Sequence, residues 1–218
     1  MGQKLSKLVN VYKKYGFCGF CRKLYAYVKA NYFDKVSFVT FLRQRRIREQ
    51  LRELLAGDYD RIVLWRSSFG YNVPLFQRPQ HIARNLARER CLVFYEVTTF
   101  RKHEDNLYLF NFNNLLLNRI LMSELKQVRR PKYIQVYSTD WKLSKENIEN
   151  YRANGFGFIY EYIDDLSPEL AGTKELPQYI TDKYHYAMTH EDVYVVVTAE
   201  LLRQDVLKHR SDSAVTTT

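Results

Sequence analysis

The sequence predicts an α/β fold with an open, Rossmann-like parallel sheet and helices on both faces, and three observations predict it. From Asp60 onward, short runs rich in branched and aromatic residues alternate with segments of helical period. The first such run, RIVLWRS, leads through one polar loop into FQRPQHIARNLARER, where Pro79 suits a first turn and Ile82, Ala83, Leu86 and Ala87 recur at helical spacing. The 218 residues, 46% hydrophobic and 15% aromatic, suffice for a packed core.

A basic stretch precedes this pattern. Residues 1–60 hold 13 Lys and Arg against 5 Asp and Glu, and so carry +8 of the chain's net +10. Leu5, Leu8, Val9 and Tyr12, then Phe17, Phe20, Cys21, Leu24, Tyr25 and Val28, fall at three- and four-residue steps with lysines and arginines among them. Phe38, Phe41, Leu42 and RQRRIREQLRELLAG continue to a helix end at Gly57, so residues 1–57 form a basic amphipathic helical extension ahead of a domain at 58–218. Such helices can pack their apolar faces on the following domain or lie on an anionic membrane surface, where each Lys or Arg adds about 1 kcal/mol. They can also bind nucleic acid, but no zinc-finger or RNA-recognition signature accompanies the charge, so no nucleic-acid partner is expected.

Two motifs in this extension carry little. CGFC at Cys18–Cys21 has redox or metal spacing without a second pair or a preceding strand, and the total of three cysteines gives no disulfide framework. MGQKLS fits the myristoylation pattern, which is short and matters only where the transferase exists. No apolar run approaches the roughly 20 residues of a membrane span, and no secretory signal opens the chain, so a cytoplasmic protein is expected, peripheral on the inner face of the cell membrane if the amphipathic helices bind lipid.

The remaining elements follow in order: strands CLVFYEV and NLYLFNF, a helix near Leu115 to Val128, strands KYIQVYS and FGFIYEYID, a helix around Gln178 to His190, strand VYVVVTA and a last helix from Glu200 to His209. Right-handed crossovers between parallel strands place ligands outside the carboxyl ends of the sheet, hence in the loops after Ser67, Val97, Ser138, Ile163 and Thr198. Arg78, Gln80 and His81 open the first helix and so face that crevice. Arg78 and His81 add positive charge where the helix dipole is already positive, which suits an anion held there. Asp164 and Asp165 fall where strand gives way to loop. One can face the crevice while the other caps the next turn, or both can cap; His81 can equally be a plain surface histidine.

These residues carry a resemblance. IVLW…FQRPQHIARNLAR, YEYIDDLS and VYVVVTAELL, in this order over about residues 60–210, resemble the N-terminal, acceptor-binding domain of GT-B glycosyltransferases, in particular the bacterial family-4-like enzymes of surface polysaccharide biosynthesis. The resemblance implies a nucleotide-sugar donor, a glycan or lipid-linked acceptor, no metal and no other cofactor. It also implies a second, nucleotide-sugar domain after LLRQDVLKHRSDSAVTTT that this chain lacks, so that a fragment, or a second half supplied in cis or trans, is expected and the isolated chain should be inactive. The family's Glu-x7-Glu pair belongs to that second domain; Glu161 and Glu169 have its spacing but sit in a strand and the loop after it.

On this resemblance the chemistry needs a base for the acceptor hydroxyl and positive or dipolar groups for the departing diphosphate. Asp164 or Asp165 is the first choice for the base and His81 the second. Gly70 would let backbone approach the ligand, Arg78 would meet an anionic acceptor or diphosphate with Gln80 beside it, and Glu200 would line the site or only complement a helix dipole. The rivals are a non-catalytic, membrane-peripheral Rossmann-like binding module and a dinucleotide enzyme. The latter is disfavoured because RSSFGYNVPLFQRPQH has no G-x-G-x-x-G.

Overall fold

The structure, a computed structural model, describes residues 38–172, 174–211 and 215–217. The chain divides into two compact units, Met1–Leu54 and Leu55–Thr218. What is described of the first unit is helix α1 (Phe38–Leu55), an arginine-rich helix with an Arg45–Glu49 pair at 2.8 Å one turn apart. The helices expected over residues 4–29, CGFC and MGQKLS lie outside the described residues. No helix among the described residues is long and apolar enough to cross a membrane.

The second unit alternates strand and helix as the apolar periodicity requires. Its elements are β1 (Arg61–Trp65), α2 (Arg78–Arg88), β2 (Cys91–Glu96), β3 (Arg101–Glu104), β4 (Leu107–Phe110), α3 (Leu115–Leu125) and β5 (Lys132–Tyr137). Then come α4 (Lys145–Ala153), β6 (Phe156–Tyr162), α5 (Pro168–Ala171), α6 (Gln178–Thr189), β7 (Tyr194–Val197), α7 (Glu200–Leu207) and β8 (Val215–Thr217). The sheet order is β3-β4-β2-β1-β5-β6-β7-β8; β3 pairs antiparallel with β4, and the other pairings are parallel. Leaving aside the β3 edge, this is the doubly wound order, in which successive strands are added outward on one side of β1 and then, from β5, on the other.

Strand period separates the two faces of the sheet. Val63, Trp65, Val93, Tyr95, Leu107 and Leu109 pack with Ala83 and Ala87 of α2 on one face. On the other, α4 and α6 cover the strands, and Phe158 meets Tyr186 of α6 edge to face at 6.2 Å. Burying both faces explains why β2 is buried at every position and reads as a continuous apolar run.

Four elements depart from the sequence reading. Strand β3 reads Arg-Lys-His-Glu, which has no apolar alternation; the Asp105–Asn106 turn, with Asn106 at φ 60°, folds it back on β4. Helix α4 carries only Ile148 and Tyr151 on its buried face and is set at its start by a cap, Ser144 Oγ accepting from Asn147 N at 3.2 Å. Helix α5 and strand β8 are four and three residues long, below what periodicity can register.

Gly155 ends α4 at φ +79°, in the left-handed region, and a Cβ there would meet no atom within 4 Å. Gly155→Ala should therefore lower stability in urea denaturation by about 1 kcal/mol from backbone conformation alone, with the fold unchanged; a neutral outcome contradicts this assignment.

Candidate functional site

The carboxyl edge of the sheet is built around the reversal between β1 and β5. Asp140, in the loop after β5, is buried to 2% exposure, and its Oδ2 accepts from Ser68 N at 2.6 Å and Ser68 Oγ at 2.9 Å. Its Oδ1 accepts from Lys142 N at 2.9 Å. One carboxylate thereby ties the loop after β1 to the loop after β5. From α6, the fully buried Lys183 ammonium donates to the carbonyls of Asp140 and Tyr137, which anchors the same loop from behind.

The loop after β1 rests on aromatic rings. Trp65 stacks on Tyr95 at 6.2 Å and meets Tyr137 edge-on at 6.0 Å; Tyr71 contacts Tyr95 at 5.1 Å, His103 at 4.5 Å and Phe76 at 5.3 Å. Phe76 in turn meets the exposed His81 ring at 5.8 Å. This bed fixes where His81 stands and raises it to the rim.

The candidate residues separate into two groups. Gln80 is buried and bridges the loop, its Oε1 accepting from Gln77 N at 3.0 Å and its Nε2 donating to Gly70 O at 2.6 Å. Both ends of its carboxamide thus hold the helix start and the Gly70 turn, which is a structural role. A Cβ on Gly70 would meet only Val73 Cγ1, at 3.8 Å, so the chain itself does not require glycine there. Arg78 reaches across to Glu161 Oε2 at 3.2 Å, and Gln135 Nε2 donates to the other oxygen of that carboxylate. The anion that the helix start calls for is supplied by the chain. Burial pushes the Glu161 carboxyl up from its usual range, opposed by Arg78 and Gln135.

The second group lies open on the edge. Asp164 and Asp165 are exposed just after β6, and the Asp165 charge bears on the Tyr162 and Tyr184 hydroxyls. Glu200 is the first residue of α7, exposed, with Arg203 at 3.5 Å one turn on. Gln80 and Gly70 are therefore joined in one set of hydrogen bonds and Arg78, Glu161 and Gln135 in another, and the carboxylate paired with Arg78 among the described residues is Glu161, not Asp164 or Asp165.

The buried acids Glu96, Glu124 and Asp140 escaped the sequence reading, and Glu161 entered it only as half of a discounted Glu-x7-Glu spacing. Glu161 and Glu96 each stand inside an apolar strand, FGFIYEYI and CLVFYE, and that placement was the available signal. Glu96 is met by Arg66 at 2.8 Å and Lys142 at 3.2 Å. No group of three or more His, Cys, Asp or Glu that could hold a metal occurs among the described residues.

Fold and edge together define an open, doubly wound α/β domain whose carboxyl-edge loops are cross-tied by buried ion pairs. No protein-family model, curated protein or solved structure matches the chain.

Burial pulls the Lys183 ammonium down to about 8 from 10.5. Between those values the unfolded chain binds the proton and the folded chain releases it, so stability rises with pH through that window and is flat below it. Relative to Lys183→Met, the wild type should gain on the order of 3 kcal/mol between pH 8 and 10.5 in chemical denaturation. A pH-independent difference contradicts the burial argument.

Proposed function

We propose that the chain is the acceptor-side half of a glycosyltransferase, passing a sugar from a nucleotide-sugar donor to a glycan or lipid-linked acceptor. One observation carries the reading. The exposed large apolar side chains Phe69, Leu75, Leu115, Trp141, Tyr179 and Leu201 all stand in carboxyl-edge loops or in the first turns of the helices that follow them. Among the described residues of this unit the exception is Tyr194, at the start of β7. An edge that combines aromatic platforms with open carboxylates and an imidazole suits a sugar or lipid-linked ligand, because ring faces cover its C–H surfaces while polar groups orient its hydroxyls.

In this reading Asp164 or Asp165 takes the proton of the acceptor hydroxyl, with His81 as the second choice. The hydroxyl oxygen bonds to the anomeric carbon as the bond to the departing diphosphate breaks. The donor and its diphosphate are held by a second domain, present in cis or trans. With both halves present, Asp→Asn at the base should cut turnover on the order of 100-fold with circular dichroism and Tm unchanged. Full turnover in both aspartate variants and in His81→Ala would sink the assignment.

A second reading, a non-catalytic binding module, is favoured by the pairing of the switch-point polar groups with one another: Ser68 with Asp140, Arg78 and Gln135 with Glu161, Arg66 and Lys142 with Glu96. Loss of transfer in an aspartate variant separates the two.

The membrane part of the proposal rests on charge. Residues 1–57 and the arginine-rich α1 should bind anionic vesicles, more weakly as salt rises. Deleting residues 1–57 should abolish that binding in a flotation assay, whereas equal binding to neutral vesicles, or retention after the deletion, contradicts it.

A further inference from the structure

A second concavity runs from the carboxyl edge, where Arg66 and Asn147 line it, along the groove between α3 and α4 on the sheet face opposite α2. It encloses about 300 Å³, with Arg66 at its base, Asn118 and Met122 from α3, and Asn147, Asn150 and Asn154 from the length and end of α4. We propose that this groove binds a neutral pyranose or a polyol of similar size.

The lining is unusual for helices. Asparagine is among the poorer helix formers, yet three stand at three- and four-residue steps on one side of α4, facing a fourth on α3. Capping accounts for part of this. Asn147 Oδ1 accepts from Ser144 N at 3.3 Å, and Asn154 Nδ2 donates to Asn150 O at 2.7 Å. Each of those bonds uses one end of a carboxamide and leaves the other end to the groove; the Asn150 side chain has no hydrogen-bond partner among the described residues.

The chemistry of the ligand follows from what remains. Asn118 Oδ1 has no hydrogen-bond partner where it stands, and rotation of the side chain into the groove it lines would bring that acceptor to a ligand donor. The Arg66 guanidinium is already directed, donating to Glu96 at 2.8 Å and to the Tyr151 hydroxyl at 3.1 Å, with its plane over Phe112 at 4.7 Å. Phosphate oxygens are chiefly acceptors of charge-assisted bonds, and the cation lining the groove, Arg66, is already paired with Glu96, so the groove offers an anion little charge. Sugar hydroxyls both donate and accept, as carboxamides do, and Met122 offers an apolar surface to a ring C–H face. The volume admits one sugar ring. The site is independent of the transferase reading, because it stands on the groove alone.

The test is titration of the 15N-labelled chain with methyl α-D-glucopyranoside, methyl α-D-mannopyranoside, N-acetyl-D-glucosamine, a neutral tetrasaccharide and inorganic phosphate, following the asparagine side-chain amides. The expected result is saturable shifts at Asn118, Asn147, Asn150 and Asn154 with at least one neutral sugar. A stronger response to the tetrasaccharide than to monosaccharides identifies a unit of a glycan as the ligand, and the reverse identifies the free sugar. Asn150→Ala should raise Tm, since alanine is the better helix former, and weaken sugar binding at least tenfold. Absence of saturable shifts with every neutral sugar, tighter binding of phosphate, or shifts confined to the carboxyl-edge loops would overturn the proposal.

Discussion

A single buried carboxylate ties together the carboxyl edge of this protein's sheet. Asp140 accepts from the backbone and hydroxyl of Ser68 and from Lys142 N, while its own carbonyl receives the Lys183 ammonium. At a point where parallel strands lead away in opposite directions, nothing in the sheet's own ladder joins the two diverging loops. Asp140 supplies that join. Without it the loop after β1 would be tethered by the Arg66–Glu96 pair at its start and by Gln80 and its aromatic bed.

Buried charge recurs around this point in pairs that cross between elements: Arg78 with Glu161, Arg66 and Lys142 with Glu96. Replacing such pairs by apolar groups is often neutral or stabilising, whereas removing one partner leaves a buried charge uncompensated. Their contribution here is better understood as register. Each pair fixes a loop or helix start against a strand end, and the exposed Asp164, Asp165 and His81 are placed at the rim by that frame.

Much of the fold was legible because it rests on period. The continuous apolar runs of β1, β2, β5 and β6 and the helical spacing of α2 are direct consequences of burial. Strand β3 escaped because its pairing, not its composition, makes it a strand, and α4 because three asparagines dilute its apolar stripe. The site was half legible. Position along the chain puts Arg78, Gln80 and Asp164 at element ends on the carboxyl edge, but spacing cannot reveal which carboxylate an arginine meets. Arg78 binds Glu161, three residues before Asp164 and on the inner side of the strand, and Gln80, which suggested a ligand contact, is consumed by its own loop.

The central claim is that the carboxyl edge around the β1–β5 reversal is the face that meets the acceptor. Hydrogen exchange of the chain with and without a lipid-linked oligosaccharide tests this most directly. Protection concentrated in residues 66–77, 138–144 and 163–177 is the result this account predicts. Protection of the opposite, amino edge at residues 88–91 and 126–131 with the carboxyl-edge loops unchanged would contradict it.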